Sequence, residues 1–416
     1  MTSLLAAIGV AGAYTPGLPD PLTAGHFSWA VLGIIAIKVV VAFVLLLVSV
    51  LLYIWGMRKW IADMQNRVGP ERAGPFGVLQ TLADGIKLFF KEQVVPETAD
   101  RPVFRIAPYL SIMPAFLMFC VIPIGGVVSM FGHTTRLQVA DLPFGALWIL
   151  AMSGIGVYGV MLAGWSSGSK YPLLGSVRAS AQMLSYEAAF GLGILAALIH
   201  TGTLQIGAIV DQQAWTGPSS LWRHWNLFPT VLIPFVIFVI AALAETNHPP
   251  FDLVEAEQEL VGGFVTEYSG IRFAIFFLAE FMNIITMSAV TVTLFLGGPS
   301  GPALWPSKLG AAGVVNVWLT PIFWFAIKVI ALTYGTVWLR AATPRMRYDR
   351  LMSFCWKYLI ELAVLWVIVL TARELAIDNH WNVFLVTGAT ILSGAALYGL
   401  LMLMMPKPGE MVEEFR

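Results

Sequence analysis

The sequence predicts an all-α, polytopic membrane helix bundle of about nine spans, because apolar runs near the ~20 residues a crossing needs recur along its length. Two further observations agree. Only 12% of the 416 residues are charged, against roughly a quarter in an average soluble domain. The mean hydropathy is +0.78, so polar residues are too few to cover a water-facing surface.

The runs lie near 33–57, 106–131, 143–165, 183–205, 227–246, 271–297, 315–340, 357–376 and 382–405. The last two are separated only by Asp378, Asn379 and His380, which predicts a tight helical hairpin. Lys and Arg concentrate after the first run (Arg58 to Arg105) and after the seventh (Arg340 to Lys357), while the opposite loops hold Arg136, Arg223 and Lys308. The positive-inside rule therefore places these two loops in the cytoplasm, the N-terminus outside and the C-terminus inside. Residues 1–32 carry no basic n-region and read as a retained outer extension. Residues 33–376 read as one membrane core with cytoplasmic loops at 58–105, 247–270 and 341–356, and residues 377–416 as an additional helix with a short tail.

Composition excludes several function classes. Lys plus Arg equals Asp plus Glu at 24 each, so no overall field recruits nucleic acid. The two cysteines, Cys120 and Cys355, fall short of the roughly four ligands a structural zinc or an iron–sulfur cluster needs. No metal site is expected, and the thiols read as core residues. Gly154-Ile155-Gly156-Val157-Tyr158-Gly159 matches a dinucleotide-binding string, but it sits inside an apolar run rather than between a strand and a helix. Small residues there read as helix-packing positions.

The first large loop contains a rigid Gly69-to-Pro75 strap. After it, Leu79, Leu82, Ile86, Phe89 and Phe90 follow helical spacing, with Gln80, Asp84, Lys87 and Lys91 largely opposite. This predicts an amphipathic helix in the membrane interface, either a plain connector or part of a lateral gate for an amphiphile. The second loop reverses the charge rule. Glu245, Asp252, Glu255, Glu257, Glu259 and Glu267 occur with no Lys or Arg between Arg223 and Arg272, interleaved with prolines and large apolar residues. Carboxylates crowded in a partly dry setting share protons, which favours proton handling over a solvated acidic face. Glu187 and Glu280 lie within spans, as do Lys38 and Lys328. An ionisable group at membrane depth costs at least ~2.5–3.5 kcal/mol and needs a task or a partner. For the two glutamates a proton relay is the favoured reading; Glu361, Arg373 and Glu374 sit nearer span ends, where snorkelling suffices.

Three blocks carry a family resemblance: Met64-Gln65-Asn66-Arg67-Val68-Gly69-Pro70 with Ala83-Asp84-Gly85-Ile86-Lys87-Leu88-Phe89-Phe90-Lys91-Glu92; Ala244-Glu245-Thr246-Asn247 with Pro250-Phe251-Asp252-Leu253 and Gly263-Phe264; and Pro344-Arg345-Met346-Arg347-Tyr348-Asp349-Arg350. Together they resemble the quinone-chamber membrane subunit of respiratory complex I, the proton-pumping NADH:quinone oxidoreductase. This is the H subunit of the bacterial enzyme and subunit 1 of the mitochondrial one. The resemblance implies a membrane-arm protein that forms the quinone chamber, anchors the peripheral arm and couples quinone reduction to proton translocation. It implies a quinone substrate (ubiquinone or menaquinone), FMN and iron–sulfur clusters only in partner subunits, and partners among the other complex I subunits and membrane lipid. By motif, Glu187, Glu245, Asp252, Glu255, Glu257, Glu259 and Glu280 are implied for the proton path. Arg67, Asp84, Lys87, Glu92, Phe264, Arg345, Arg347 and Asp349 are implied for the quinone route. Three positions depart from the family pattern: Met57 stands for a usual Glu, Glu71 for Asn and His248 for Arg. The alternatives are a stand-alone cation/proton transporter, against which no inverted repeat is found, and the membrane anchor of a related hydrogenase.

Overall fold

The computed structural model describes residues 28–214, 224–252, 261–304 and 310–404. Its long helices are α1 (Trp29–Met64), α3 (Arg101–Phe119), α4 (Gly145–Ser166), α5 (Lys170–Thr201), α7 (Ile233–Glu245), α8 (Gly270–Phe295), α9 (Gly310–Ala342), α11 (Ile360–Asp378) and α12 (Val383–Met404). Shorter elements are α2 (Gln80–Phe90), the hairpin strands β1 (Val127–Met130) and β2 (His133–Arg136), α6 (Ile206–Gln212) and α10 (Tyr348–Phe354). The chain is an all-α membrane bundle. Among the described residues, α1, α3, α4, α5, α8 and α9 are long and apolar enough to cross a membrane. The other three expected spans coincide with α7, which has 13 residues, with α11, which carries Glu361, Arg373, Glu374 and Asp378, and with α12.

Several expected segments differ in extent: α1 runs on to Met64 past the expected 57, and α5 begins at Lys170 rather than near 183. The second was expected to reach residue 131, but α3 stops at Phe119, and Pro123, Gly125 and Gly126 release the chain into the β1–β2 hairpin. The fifth was expected to begin near 227, but Val231 and Leu232 adopt positive φ and α7 starts only at Ile233. At 1.5 Å per residue α7 is ~20 Å long, short of the ~30 Å hydrocarbon core. The flanking non-helical backbone is protein-packed, as membrane depth requires. Leu227 N–H reaches the Phe295 carbonyl, and Gln182 on α5 donates to the carbonyls of Ala244 and Phe251.

Helix α5 packs against α4, α7 and α11, whereas α8 packs against α1, α3 and α9. Their shared core holds Leu46, Ile149, Tyr186, Phe190, Phe238 and Phe281. Phe190 stacks on Phe238 with ring centroids 4.7 Å apart. Helix α2 leaves Leu82, Ile86, Phe89 and Phe90 exposed, so its apolar face has no partner within the described chain. The preceding turn needs Gly77: its φ is +74°, and a Cβ there would lie 2.3 Å from the Pro70 carbonyl oxygen.

Candidate functional site

The short helix α7 ends at Glu245, and this end positions the site. Asn247 adopts φ 52°, a conformation Asn tolerates better than most residues, and turns the chain so that His248 and Asp252 are both buried. Gln182 secures the turn with hydrogen bonds to the Ala244 and Phe251 carbonyls at 2.8 Å.

A cavity of about 60 Å³ lies between α3, α4, α5, α7 and α8. Glu245 and Glu280 both line it, with Asn247 and Phe264 in its wall. Ser111 Oγ, Ser153 Oγ, Glu245 Oε2 and Asn283 Oδ1, from four different helices, are buried without a hydrogen-bond partner, and all four residues line this cavity. Buried polar atoms are almost always satisfied. The space suits several water molecules, which are the partners such a lining selects.

Glu187 approaches from α5. Its Oε1 would lie 2.9 Å from a Cβ placed on Gly154, so the missing side chain makes room for the carboxylate. Gly156 lines the cavity, and Gly159 lets α4 approach Ser111 on α3. The glycine string thus serves helix packing and also shapes the acidic site. The fields of Glu187 and Glu245 reach each other, as do those of Glu280 and Asp252.

On the far side of Glu280, His248 Nδ1 stands 3.1 Å from Glu280 Oε1, and its Nε2 is 3.4 Å from Arg340 Nη1. Arg340 also lines a second pocket, of about 250 Å³, with Met57, Arg58, Arg67 and Gly69. Asp252 is clamped by Arg345 at 2.9 Å. Four proton-path candidates (Glu187, Glu245, Asp252 and Glu280) therefore form one connected neighbourhood. Glu255, Glu257 and Glu259 lie outside the described residues.

The quinone-route candidates are distributed more widely. Arg67 lines the second pocket; Asp84 on α2 pairs with Arg58 of that pocket at 2.7 Å. Phe264 packs edge-on against Phe276 in the first cavity's wall. Lys87 and Glu92 are exposed, and Arg347 and Asp349 form an exposed pair at 3.2 Å.

His248 and Arg340 are functional candidates that sequence reasoning left out of the site. His248 stood out only as a departure from a motif, and Arg340 only as one positive charge among several. What unites them is a contact across 92 residues, which no local pattern encodes.

Of the buried lysines, Lys328 donates to the carbonyls of Leu296, Gly298 and Ser300 at 2.7–2.9 Å and lies 5.0 Å from the Trp225 ring centroid. That arrangement caps the end of α8. Lys38 bonds the Thr135 hydroxyl on β2.

A family model described as NADH dehydrogenase matches residues 37–371. A protein of Frankia alni, named as the H subunit of NADH-quinone oxidoreductase, is 49% identical over 338 residues, covering 81% of this chain and 72% of the relative. One of the same name from Frankia casuarinae is 50% identical over 336 residues, covering 80% and 71%. Helix α12 lies beyond the residues the family model matches.

Proposed function

The chain belongs to the family of NADH-quinone oxidoreductase H subunits, and from that premise we propose that it forms the quinone chamber of the complex and couples quinone reduction to proton translocation through Glu187, Glu245, Asp252 and Glu280. It is a multi-pass membrane subunit of an oxidoreductase complex, and its partners are other complex I subunits. The stand-alone transporter and hydrogenase-anchor readings give way to that membership.

One observation carries the coupling reading: Glu245 and Glu280, on different helices, open onto one cavity into whose lining Ser111 Oγ, Ser153 Oγ and Asn283 Oδ1 also bring buried polar atoms without a protein partner. Proton transfer needs donor and acceptor within hydrogen-bond reach, directly or through one water. A polar cavity between two carboxylates meets that need. Crowded carboxylates titrate as a group, so protonating one alters the next. Asp252 extends the set towards the cytoplasmic loop, and Glu255, Glu257 and Glu259 are proposed to continue it.

The quinone route is proposed along the second pocket, where Arg67, Arg58 and Arg340 present guanidinium donors suited to polar oxygens. Asp84 orients Arg58. Phe264 offers an aromatic wall, and Arg345 holds the acidic turn in place. Lys87, Glu92, Arg347 and Asp349, on the exposed rim, are proposed to brace the interface with the peripheral arm. A quinone is the substrate of this reading; FMN and the iron–sulfur clusters belong to partner subunits, which deliver the electrons.

The second pocket gathers Arg58 and Arg67 with Arg340, so both basic loops meet at one end of the bundle. That end is proposed to face the cytoplasm, with the N-terminus outside the cell membrane. Residues 33–376 are proposed as the family core, with 377–416 an addition.

Purification in mild detergent with identification of bound subunits tests the assignment. Recovery with NADH-binding and iron–sulfur subunits is expected; a stable lone chain with transport activity would overturn it. Glu187→Gln in an assembled complex is expected to lower NADH-driven quinone reduction and pumping together.

A further inference from the structure

Serines inside helices ordinarily turn back onto the carbonyl three or four residues earlier. Ser49, Ser166, Ser176 and Ser185 do so, at 2.7–3.2 Å. Ser111 on α3 and Ser153 on α4 do not. They are 7% and 4% exposed, and their hydroxyls bond no protein atom. A buried hydroxyl left without a bond costs stability, yet both residues line the carboxylate cavity with Glu245 and Glu280. Asn283, one turn beyond Glu280 on α8, joins them there with a buried, unpartnered Oδ1.

The packing keeps these groups in place. A Cβ on Gly159 would lie 2.3 Å from Ser111 Oγ, so the missing side chain leaves the hydroxyl its position. Ser153 adjoins Gly154, which makes room for Glu187. The three side chains do not ionise near neutral pH, so they neither retain a proton nor add charge. A hydroxyl both donates and accepts, and so does a carboxamide, whereas an ionised carboxylate only accepts. A water molecule that relays a proton ends with its donating and accepting directions exchanged. Walls that do both satisfy it before and after the transfer. A buried water makes about three hydrogen bonds, and the two carboxylates with these three side chains supply them.

We propose that Ser111, Ser153 and Asn283 are positioning residues for proton transfer between Glu245 and Glu280, holding the water that joins them in either orientation. The proposal rests on the carboxylate-path reading above and adds three uncharged side chains to it. One carboxyl gives its proton to the water oxygen, and the water gives another proton to the second carboxylate. One O–H bond breaks at the donor, one forms at the acceptor, the water is regenerated and no electron moves. The serines and the asparagine end the step unchanged.

The test uses the intact complex in proteoliposomes, with NADH and a short-chain quinone. It reads quinone reduction and proton movement in water and in deuterium oxide, together with the melting temperature. Ser111→Ala combined with Ser153→Ala removes two hydroxyls that bond no protein atom, so the melting temperature is expected to hold or rise. Both rates are expected to fall about tenfold, and the solvent isotope effect to grow as proton transfer becomes limiting. Ser153→Thr in place of Ser153→Ala keeps a hydroxyl and is expected to recover part of the rate. Wild-type rates and isotope effect in the double variant overturn the proposal. So does a loss of rate with a lowered melting temperature and an unchanged isotope effect, which assigns the serines to packing. Glu245→Gln separates the two readings: if it slows both rates while the double variant is normal, only the proposal fails. If both are normal, the carboxylate path fails as well. Should the double variant not assemble, Asn283→Leu is read in the same way, and wild-type rates and isotope effect there overturn the proposal.

Discussion

Asp252 and Arg345, 93 positions apart, meet at 2.9 Å, with the Asp252 side chain 4% exposed and that of Arg345 47%. This contact ties the acidic turn after α7 to the segment leading into α10. It is reinforced nearby, where Met346 N–H donates to the Pro250 carbonyl and Tyr186 donates from α5 to the Leu351 carbonyl. This end of the bundle is therefore one braced unit, in which a buried carboxylate meets a half-exposed cation.

Arg345→Ala removes a charge-assisted donor from that carboxylate. Since Arg345 is half exposed, a double-mutant cycle with Asp252→Asn should give a coupling of about 1 kcal/mol. Denaturant unfolding in detergent measures it; a coupling near zero would mean the contact braces nothing.

Lys328 is expected to act in stability and not in proton transfer. Lys328→Met leaves three buried carbonyls without their donor and should cost on the order of 3 kcal/mol. The complex should melt earlier while protons moved per electron stay unchanged. A stable variant that loses coupling would assign the lysine to the proton path instead.

The glycine string on α4 makes a differential prediction. A Cβ on Gly159 would lie 2.3 Å from Ser111 Oγ and 2.7 Å from its backbone nitrogen, whereas one on Gly156 meets nothing within 4 Å. Gly159→Ala should destabilise by about 1–3 kcal/mol through overpacking, and Gly156→Ala should be tolerated. Thermal melts of the two assembled variants compare them directly.

These glycines also mark where the sequence was legible. The all-α membrane class follows from apolar length alone, and helices occupy all nine expected positions because ~20 apolar residues have few other solutions in a bilayer. The amphipathic pattern at 79–91 likewise corresponds to α2. The β1–β2 hairpin and the shortness of α7 were not readable, since hydropathy does not register where Pro123 or the turn at Val231 and Leu232 ends a helix. The carboxylates stood out because charge is costly at membrane depth. Their common cavity, and the service of Gly154 to Glu187, depend on packing between helices far apart in the chain.

Outside the spans, Asp211 on α6 pairs with Arg136 at 2.5 Å. Burial pushes its carboxyl above 3.8 although Arg136 pulls it down. A carboxyl raised in the folded state contributes stability that is present below its unfolded value and lost as pH rises through its folded value. Wild-type stability should therefore decline across the window just above 3.8, and Asp211→Asn should remove that slope. Melting temperatures across acidic pH decide the matter.

The most direct test of the coupling account is the number of protons moved per NADH oxidised by assembled, reconstituted complexes carrying Glu245→Gln. Loss of a titratable group from the cavity it shares with Glu280 should lower quinone reduction and pumping together, with the complex intact. Wild-type turnover at wild-type proton yield would contradict it.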